Sequence, residues 1–279
     1  MTAHADNPLT RIALPLFVPG NRPERFAKAL AAGADAVFVD LEDAVPPEDK
    51  PDARAGLATA LGEALAGLDA PVPVLVRVNA ADTRWHGDDL AACATLPLSG
   101  IVLPKAETAE AVRDAGARTG LPVVALVESA AGLANAREIA RASHRLAFGS
   151  IDFAADIGIA HERGPLSHAR FELALAARLA GQGAPIDGVT ADIRDAGLIT
   201  DDCHHARTLG FGGKLLIHPA QIAPARAGFL PAEEEIAWAT RVVEAAGDGT
   251  RAVAVDGAMV DLPVVLRARQ ILDRAAGKG

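Results

Sequence analysis

The segment GIVLPKAETAEAVRDAGARTGLPVVALVE, residues 100–128, contains the unit that decides the fold. It begins and ends with short apolar runs, residues 100–103 and 122–127. An Ala-rich stretch with helical periodicity lies between them and ends at Gly120, the residue type best suited to a helix C-cap. Continuous apolar runs are typical of parallel strands buried on both faces. The segment therefore predicts a strand–helix–strand unit.

The same alternation runs through most of the chain. Ala-rich helical stretches separate eight apolar runs: residues 12–18, 36–41, 72–78, 100–103, 122–127, 145–148, 185–189 and 214–217. A doubly wound sheet is the alternative, but the first run leads into Val18-Pro19-Gly20-Asn21-Arg22 instead of GxGxxG. Eight repeats at a spacing of about 20 to 40 residues predict an α/β fold, a (β/α)8 TIM barrel, over residues 1–222.

Residues 223–279 follow the eighth predicted strand. They contain helical segments around a turn at residues 247–249, a β-like run at residues 252–255 and the apolar stretch LPVVLRARQIL, residues 262–272. We predict a short C-terminal helical appendage, which could pack on its own barrel or contact a neighbouring subunit.

Composition excludes several classes of function. The chain of 279 residues carries 27 Lys and Arg against 36 Asp and Glu, without a basic run, so nucleic acid is not an expected partner. Cys93 and Cys203 form no CxxC motif or His-containing metal cluster, which fits a reducing cytoplasm. No secretory signal pattern is apparent, and no apolar stretch reaches the roughly 18 residues that a membrane span needs. We expect a cytoplasmic protein with a small-molecule partner.

Polar or charged residues accompany every predicted strand near its C-terminal end, where barrel enzymes build their active sites. These residues are Arg22, Glu42, Asp43, Arg77, Lys105, Glu128, Asp152, Asp192 and His218. A strand end needs some polar neighbour in any fold. Loops without function, however, would supply Gly, Ser, Asn and Thr as often as acids, so the set as a whole indicates a site.

Glu128 and Asp152 are the predicted metal ligands, because each is expected directly beyond a buried run and the two runs are adjacent. Mg²⁺ is typically held by one or two carboxylates, with water and substrate completing its coordination. No His and Cys cluster offers ligands for a softer metal. The alternative interpretation is a hydrogen-bonded structural rim.

Arg77 lies inside the run VLVRVN, residues 74–79, so its guanidinium should point into the barrel mouth. A buried arginine needs an anionic partner, which can be an internal salt bridge to Glu42 or Asp43, a substrate oxyanion, or both. Lys105 could form a Schiff base if its pKa were lowered. A neighbouring acidic rim would raise that pKa instead.

Two further groups have weaker signals. Arg22, Arg25 and Lys28 surround the start of a predicted helix in PGNRPERFAK, residues 19–28, where phosphate could bind, although a solvated basic face is equally consistent. Four other residues have a structural alternative: Trp85 and His86 could cover the substrate or simply pack, and His204 and His205 are expected at the surface.

Several motifs occur together and in order: residues 15–29, 36–54, 74–79, 101–107, 127–133, 149–158, 185–189, 210–222 and 257–272. Over residues 11–272 the chain resembles the citrate lyase β-subunit-like proteins of the HpcH/HpaI aldolase superfamily, which also contains malyl-CoA and citramalyl-CoA lyases. The resemblance implies a TIM barrel that forms trimers or hexamers. The His-containing loop of the free-acid pyruvate aldolases is not apparent, which argues against that branch.

The resemblance also implies roles for individual residues. Glu128 and Asp152 would hold Mg²⁺, and Arg77 would bind substrate together with Glu42 and Glu128. Glu42 and Asp43 would orient Arg77 and metal-bound water. Asp261 in MVDLP would be an acid/base supplied by a neighbouring subunit. Apart from the resemblance, we assign Arg22, Arg25, Lys28 and His218 to binding of the CoA cofactor moiety.

The predicted function is a Mg²⁺-dependent carbon–carbon lyase. It would interconvert a 3-hydroxy acyl thioester of the citramalyl-, malyl- or citryl-CoA type with an acetyl thioester and a 2-keto acid. Three alternatives remain open at this point: a Schiff-base aldolase using Lys105, an acyl-CoA thioesterase, and a CoA- or carrier-binding subunit that works with citrate lyase-like partner subunits.

Overall fold

The computed structural model describes residues 8–66, 72–247 and 253–276. The chain divides into two compact units, residues 1–226 and 227–279. No helix among the described residues is both long and apolar enough to span a membrane.

The first unit is built on an eight-stranded parallel sheet whose strands follow one another in chain order. The strands are β1 (Pro15–Pro19), β2 (Ala36–Asp40), β3 (Val74–Arg77), β4 (Gly100–Leu103), β5 (Val123–Val127), β6 (Arg145–Phe148), β7 (Ile186–Asp187) and β8 (Gly213–Lys214). Backbone hydrogen bonds from Phe17 to Leu216 (2.8 Å) and from Leu216 to Pro15 (2.9 Å) connect the last strand region to the first. The predicted TIM barrel is therefore confirmed.

Helices follow the strands and continue into the second unit. They are α1 (Phe26–Leu30), α2 (Lys50–Ala66), α3 (His86–Cys93), α4 (Ala109–Thr119), α5 (Ala130–Ala134), α6 (Ala136–Ala142), α7 (Ser150–Ile157), α8 (Arg163–Leu179), α9 (Ala196–Thr208), α10 (Ile222–Phe229), α11 (Glu233–Ala246) and α12 (Leu262–Ala275). Three short 3₁₀ helices, Pro8–Arg11, Pro23–Arg25 and Pro219–Gln221, complete the described helical segments.

The β4–α4–β5 unit shows how local sequence sets these boundaries. The Thr108 side chain accepts a hydrogen bond from the Ala111 amide at 3.1 Å and so caps the start of α4. Gly120 ends the helix with φ of 68°, a left-handed conformation that glycine adopts without strain. The crossover then returns the chain to β5 beside β4, in parallel register.

Side-chain alternation along the strands separates the core from the site. The buried core cluster includes Phe38, Leu75 and Leu126. Because alternate residues of a strand face the same side, the residue two positions after each of these shares its face. Those residues are Asp40, Arg77 and Glu128, so the chain itself places charged groups at the end of the apolar core.

The predicted strand bounds were wrong at several ends. β1 begins at Pro15 instead of residue 12, while β7 and β8 have two residues each. The eighth apolar run, residues 214–217, is hydrogen-bonded to both of its neighbours. The Lys214 amide donates to the carbonyl of Ala13, just before β1, at 2.8 Å, and the Leu215 amide donates to the carbonyl of Asp187 in β7 at 2.9 Å. Apolar content extends beyond the residues that take part in such ladders.

The second unit packs α11 and α12 with an antiparallel hairpin, β9 (Val253–Val255) and β10 (Ala258–Val260). Its core contains Ala239, Val242, Val260, Val265, Ala268 and Ile271. The β-like run is a strand from Val253 onward, and β10 was not predicted. Residues 248 and 249 of the predicted turn, and residue 252, lie outside the described residues.

Candidate functional site

A cavity of about 430 Å³ lies where several barrel strands end. Its charged lining residues are Asp40, Asp43, Arg77, Glu128 and Asp152. Four of these five were candidates from the sequence, and the cavity brings them together.

Arg77 and Asp40 form a bidentate ion pair at the site. They are register partners on the adjacent strands β3 and β2. Arg77 donates from Nε to Asp40 Oδ1 at 2.8 Å and from Nη2 to Oδ2 at 2.6 Å, a bidentate geometry that fits a guanidinium to a carboxylate. Burial lowers the pKa of Arg77, but the charge and hydrogen bonds of Asp40 outweigh burial and raise it.

Asp40 is the site residue that sequence reasoning missed. It interrupts the apolar run AVFVDL just as Arg77 interrupts VLVRVN, and this interruption was the available signal. Its carboxylate also accepts the amides of Glu42 at 2.8 Å and Ala44 at 3.0 Å. Asp40 therefore fixes both the guanidinium and the start of the following loop.

Glu42 and Asp43 contact Arg77 as predicted but in different environments. The Arg77 Nη1 atom lies 3.1 Å from Glu42 Oε2 and 3.4 Å from Asp43 Oδ2. Glu42 is buried, while the Asp43 side chain is 57% exposed. Burial raises the pKa of Glu42 and outweighs the opposing charge of Arg77.

Lys105 is held by Glu42, with Nζ donating to Oε1 at 2.6 Å. Partial burial lowers the pKa of Lys105, but the hydrogen bond and charge of Glu42 dominate and raise it. The amine is therefore kept protonated, which opposes nucleophilic attack on a carbonyl. This geometry argues against the Schiff-base alternative.

Glu128 follows β5 directly and is almost completely buried. Its Oε1 accepts the backbone amide of Lys105 at 2.7 Å, and Lys105 adopts a left-handed φ of 45° there. Burial, with the charges of Glu42 and Asp152 adding to it, raises the pKa of Glu128 to about 8. A carboxylate in this environment needs a cation to stay ionised at neutral pH.

Asp152 lies in the first turn of α7, four residues after β6 ends, so the prediction that it directly follows its strand was wrong. The turn approaches Glu128 closely. A Cβ atom on Gly149 would come within 2.2 Å of Glu128 Oε2. Glycine at this position is what allows β5 and the start of α7 to bring the two acids into one cavity.

The residues present fit a magnesium ion. Among residues 8–66, 72–247 and 253–276, no group of three or more His, Cys, Asp and Glu is arranged to hold a metal. Two carboxylates leave the other coordination positions to water and substrate oxygens, which is the usual arrangement for Mg²⁺. A divalent cation beside Glu128 would also offset the cost of ionising that buried acid.

The predicted phosphate-binding cations lie on an exposed segment. Arg22, Arg25 and Lys28 are all exposed, and none of them lines the cavity. The Arg22 Nε donates to Glu24 at 2.7 Å. The helix they were predicted to open consists of a three-residue 3₁₀ turn and the five residues of α1. Their role in CoA binding stays a prediction.

Other candidates have structural contacts of their own. His218 is exposed and caps a 3₁₀ helix, its Nδ1 accepting the Ala220 amide at 3.1 Å. Asp192 is exposed and accepts the amides of Arg194 and Asp195. Neither side chain lines the cavity.

The remaining aromatic and histidine candidates divide between core and surface. His86 is buried, and its Nδ1 atom lies 2.7 Å from the Asn79 carbonyl oxygen. The Trp85 ring lies against Lys50, whose Nζ atom is 5.2 Å from the ring centroid. Both side chains are therefore packed against the protein. His204 is exposed as expected. His205 is partly exposed, with its Nε2 atom buried.

Asp261 belongs to the second unit. Its side chain is exposed and accepts the Val264 amide at 3.4 Å as the N-cap of α12. Its acid/base role stays a prediction.

Barrels with acidic residues at the mouth occur in many enzyme families, and the sequence identifies the one to which this chain belongs. The model of the HpcH/HpaI aldolase/citrate lyase family matches residues 13–219, and the chain belongs to that family.

Individual relatives share nearly the whole chain. The citrate lyase subunit beta-like protein of Mycobacterium tuberculosis is 39% identical over 269 residues, covering 93% of this chain and 94% of the relative. The (3S)-malyl-CoA thioesterase of Cereibacter sphaeroides is 36% identical over 282 residues, covering 98% and 96%. The structure of CitE from Mycobacterium tuberculosis in complex with magnesium, acetoacetate and coenzyme A superposes with a TM-score of 0.85 at 37% identity, covering 95% and 99%.

Proposed function

We propose that this protein is a Mg²⁺-dependent carbon–carbon lyase acting on a 3-hydroxy acyl thioester, which it interconverts with an acetyl thioester and a 2-keto acid. The observation that carries the proposal is the single cavity lined by Glu128, Asp152 and Arg77 at the barrel mouth. The chain is also similar to CitE, which was crystallised with magnesium, acetoacetate and coenzyme A. This similarity supports a metal ion, a keto acid and a CoA thioester as the ligands of this protein.

Glu128 and Asp152 are the residues that would hold the metal. When bound, Mg²⁺ supplies Lewis-acid activation and a template for the substrate hydroxyl and carboxylate oxygens. Arg77 would bind the oxygen that changes between hydroxyl and ketone and neutralise charge developing on it. Asp40, Glu42 and Asp43 keep the guanidinium in place for that role.

The proton transfers are proposed to involve Asp261. In the condensation direction its carboxylate takes a proton from the acetyl methyl group. The carbon's electron pair forms the bond to the keto carbon, the π electrons of the C=O bond move to the keto oxygen, and that oxygen takes a proton from solvent to become the hydroxyl. Cleavage reverses these steps and returns the proton to the methyl carbon. We propose further that Arg22, Arg25, Lys28 and His218 contact the CoA moiety, and that the protein is a homo-oligomer.

The test is a condensation assay. Purified protein is incubated with Mg²⁺, acetyl-CoA and glyoxylate, pyruvate or oxaloacetate, and the products are identified by mass spectrometry. The proposal expects a 3-hydroxy acyl-CoA from at least one keto acid, and its loss with EDTA. Full activity after metal removal would contradict the role of Mg²⁺, and the absence of any condensation product would contradict the lyase proposal.

Two relatives favour other outcomes, which an assay in the reverse direction, started from a synthetic 3-hydroxy acyl-CoA, distinguishes. The malyl-CoA thioesterase similarity favours hydrolysis, in which the synthetic 3-hydroxy acyl-CoA would yield free CoA and a hydroxy acid without acetyl-CoA. The similarity to a citrate lyase subunit beta-like protein favours a subunit that needs partner subunits. Such a chain would bind CoA or metal yet leave every substrate unchanged.

A further inference from the structure

Apolar residues line the same cavity as the proposed metal ligands, and we call the five named below its apolar wall. Leu126 lies two residues before Glu128 on β5, and Phe148 lies four residues before Asp152. Both side chains are buried, as is Leu215 from the region of β8. Val189 and Ile217 extend this wall, and all five residues line the cavity. A group attached to a substrate carbon near the metal can therefore meet hydrocarbon.

The charges of the cavity are almost entirely negative. Its described lining residues include four carboxylates and one guanidinium, that of Arg77. Arg77 is in contact with Asp40, Glu42 and Asp43 before any substrate binds. The nearby Lys105 does not line the cavity, and its Nζ is held at 2.6 Å by Glu42. A metal ion and Arg77 can receive one carboxylate and one adjacent oxygen, but the described lining offers no further cation.

We propose that the cavity selects 2-keto acids whose substituent is apolar, such as methyl or ethyl, and discriminates against those that carry a second carboxylate. The inference rests on the proposed lyase function for the identity of the ligand as a 2-keto acid. It adds the chemical class of the substituent.

Both the apolar wall and the negative charge of the cavity contribute to the selection. Each methylene group moved from water onto an apolar surface contributes about 0.8 kcal/mol to binding. Because about 1.4 kcal/mol corresponds to a tenfold change in Kd, this lowers the Kd by about fourfold. A second carboxylate would lose part of its hydration without gaining a partner, in a cavity whose other charges repel it. Together these effects predict a preference of about tenfold or more.

Matched pairs of ligands test the proposal by isothermal titration calorimetry on the full chain with Mg²⁺ and without any acyl thioester. One pair is 2-oxobutyrate and oxaloacetate, and the other is 2-oxopentanoate and 2-oxoglutarate. Each pair differs by replacement of a terminal methyl with a carboxylate. We expect the Kd of the monocarboxylate to be lower by about tenfold or more. Equal Kd values, tighter binding of the dicarboxylates, or no binding of any keto acid would overturn the inference.

This measurement separates the inference from the proposed function. A clear preference for the monocarboxylates combined with no condensation product would contradict the lyase but leave the selectivity of the cavity intact. Condensation with oxaloacetate at least as efficient as with pyruvate, together with equal Kd values, would leave the lyase intact and overturn the selectivity.

A pair of variants assigns the selectivity to this cavity. Ile217 lines the cavity and is 44% exposed, so Ile217→Arg adds a cation to the lining. The longer side chain can extend into solvent and need not be packed into the core. Leu198 on α9 is 41% exposed and does not line the cavity, which makes Leu198→Arg the control. We expect Ile217→Arg to reduce the Kd ratio by about tenfold and Leu198→Arg to leave it unchanged. An unchanged ratio in Ile217→Arg, or equal changes in both variants, would overturn the assignment.

Discussion

At the scale of single residues, Arg77 shows both what sequence reasoning reaches and where it stops. A charged residue inside an apolar run indicated a buried guanidinium with an acidic partner, and the structure places Arg77 among three carboxylates. Its bidentate partner Asp40 was missed because the choice depends on the register between β2 and β3. The sequence of one strand does not specify how it aligns with its neighbour.

The unequal environments of Asp40 and Asp43 lead to a prediction about stability. Asp40→Asn removes a charge from a buried bidentate pair and should lower the free energy of unfolding by about 3 kcal/mol. The control Asp43→Asn alters a half-exposed carboxylate 3.4 Å from the same guanidinium and should change it by less than about 0.5 kcal/mol. Urea unfolding of both variants checks this, and similar losses in the two would contradict the assigned pairing.

The raised pKa of Glu128 predicts a pH dependence of the metal-free protein. Its pKa in the folded state is about 8, compared with an ordinary value of 4.5, so the folded state binds a proton that the unfolded state has released. Stability should therefore fall as the pH rises from about 4.5 to about 8, relative to Glu128→Gln. Urea unfolding in EDTA across this range measures the difference. A constant difference between the two proteins would contradict the raised pKa.

At the scale of elements, the β–α alternation was predictable but the element ends were not. Apolar runs and the Gly120 C-cap located β4, α4 and β5 from the sequence alone. The short strands β7 and β8 were overestimated because an apolar run does not show where regular pairing stops: each strand has two residues, although Leu215 and Leu216 still donate backbone hydrogen bonds to Asp187 and Pro15. The approach of α7 to β5 through Gly149 also lay beyond reach, since it is a contact between separate elements.

Gly149 provides the prediction at this scale. Gly149→Ala would place a Cβ atom 2.2 Å from Glu128 Oε2, so either the carboxylate or the start of α7 must move. We expect Mg²⁺ affinity to fall by about tenfold or more while the circular dichroism spectrum stays that of a folded barrel. Gly62→Ala in α2 is the control, because nothing lies within 4 Å of its Cβ position. Unchanged affinity in Gly149→Ala would show that this contact does not position Glu128.

At the scale of the whole molecule, the sequence predicted the barrel and a C-terminal segment with its own helices. The division into residues 1–226 and 227–279 falls four residues after the expected boundary, because α10 spans it. The β9–β10 hairpin was not predicted in full, since its strands have only three residues each. Composition showed that the sequence has no basic run. It did not indicate how copies of the chain assemble.

Co-expression of two inactive variants tests the proposed sharing of sites between subunits. Asp261→Asn should reduce the rate by about 10²- to 10⁴-fold while keeping the N-cap of α12, because asparagine is also a good cap. If Asp261 completes a neighbouring site, co-expression with Glu128→Gln should restore up to about a quarter of the sites in a symmetric oligomer. Co-expression of Glu128→Gln with Asp152→Asn is the control and should restore nothing. No recovery in the first mixture would place Asp261 within its own chain's site or outside catalysis.

The most direct test of the account is a calorimetric titration with Mg²⁺ alone. We predict that the wild-type protein binds one Mg²⁺ per chain and that Glu128→Gln and Asp152→Asn each weaken binding by about 100-fold or more. Glu110→Gln is the matched control, because Glu110 is an exposed acid on α4 that does not line the cavity and should leave affinity unchanged. Wild-type affinity in either Glu128→Gln or Asp152→Asn would contradict the metal site and the chemistry proposed from it.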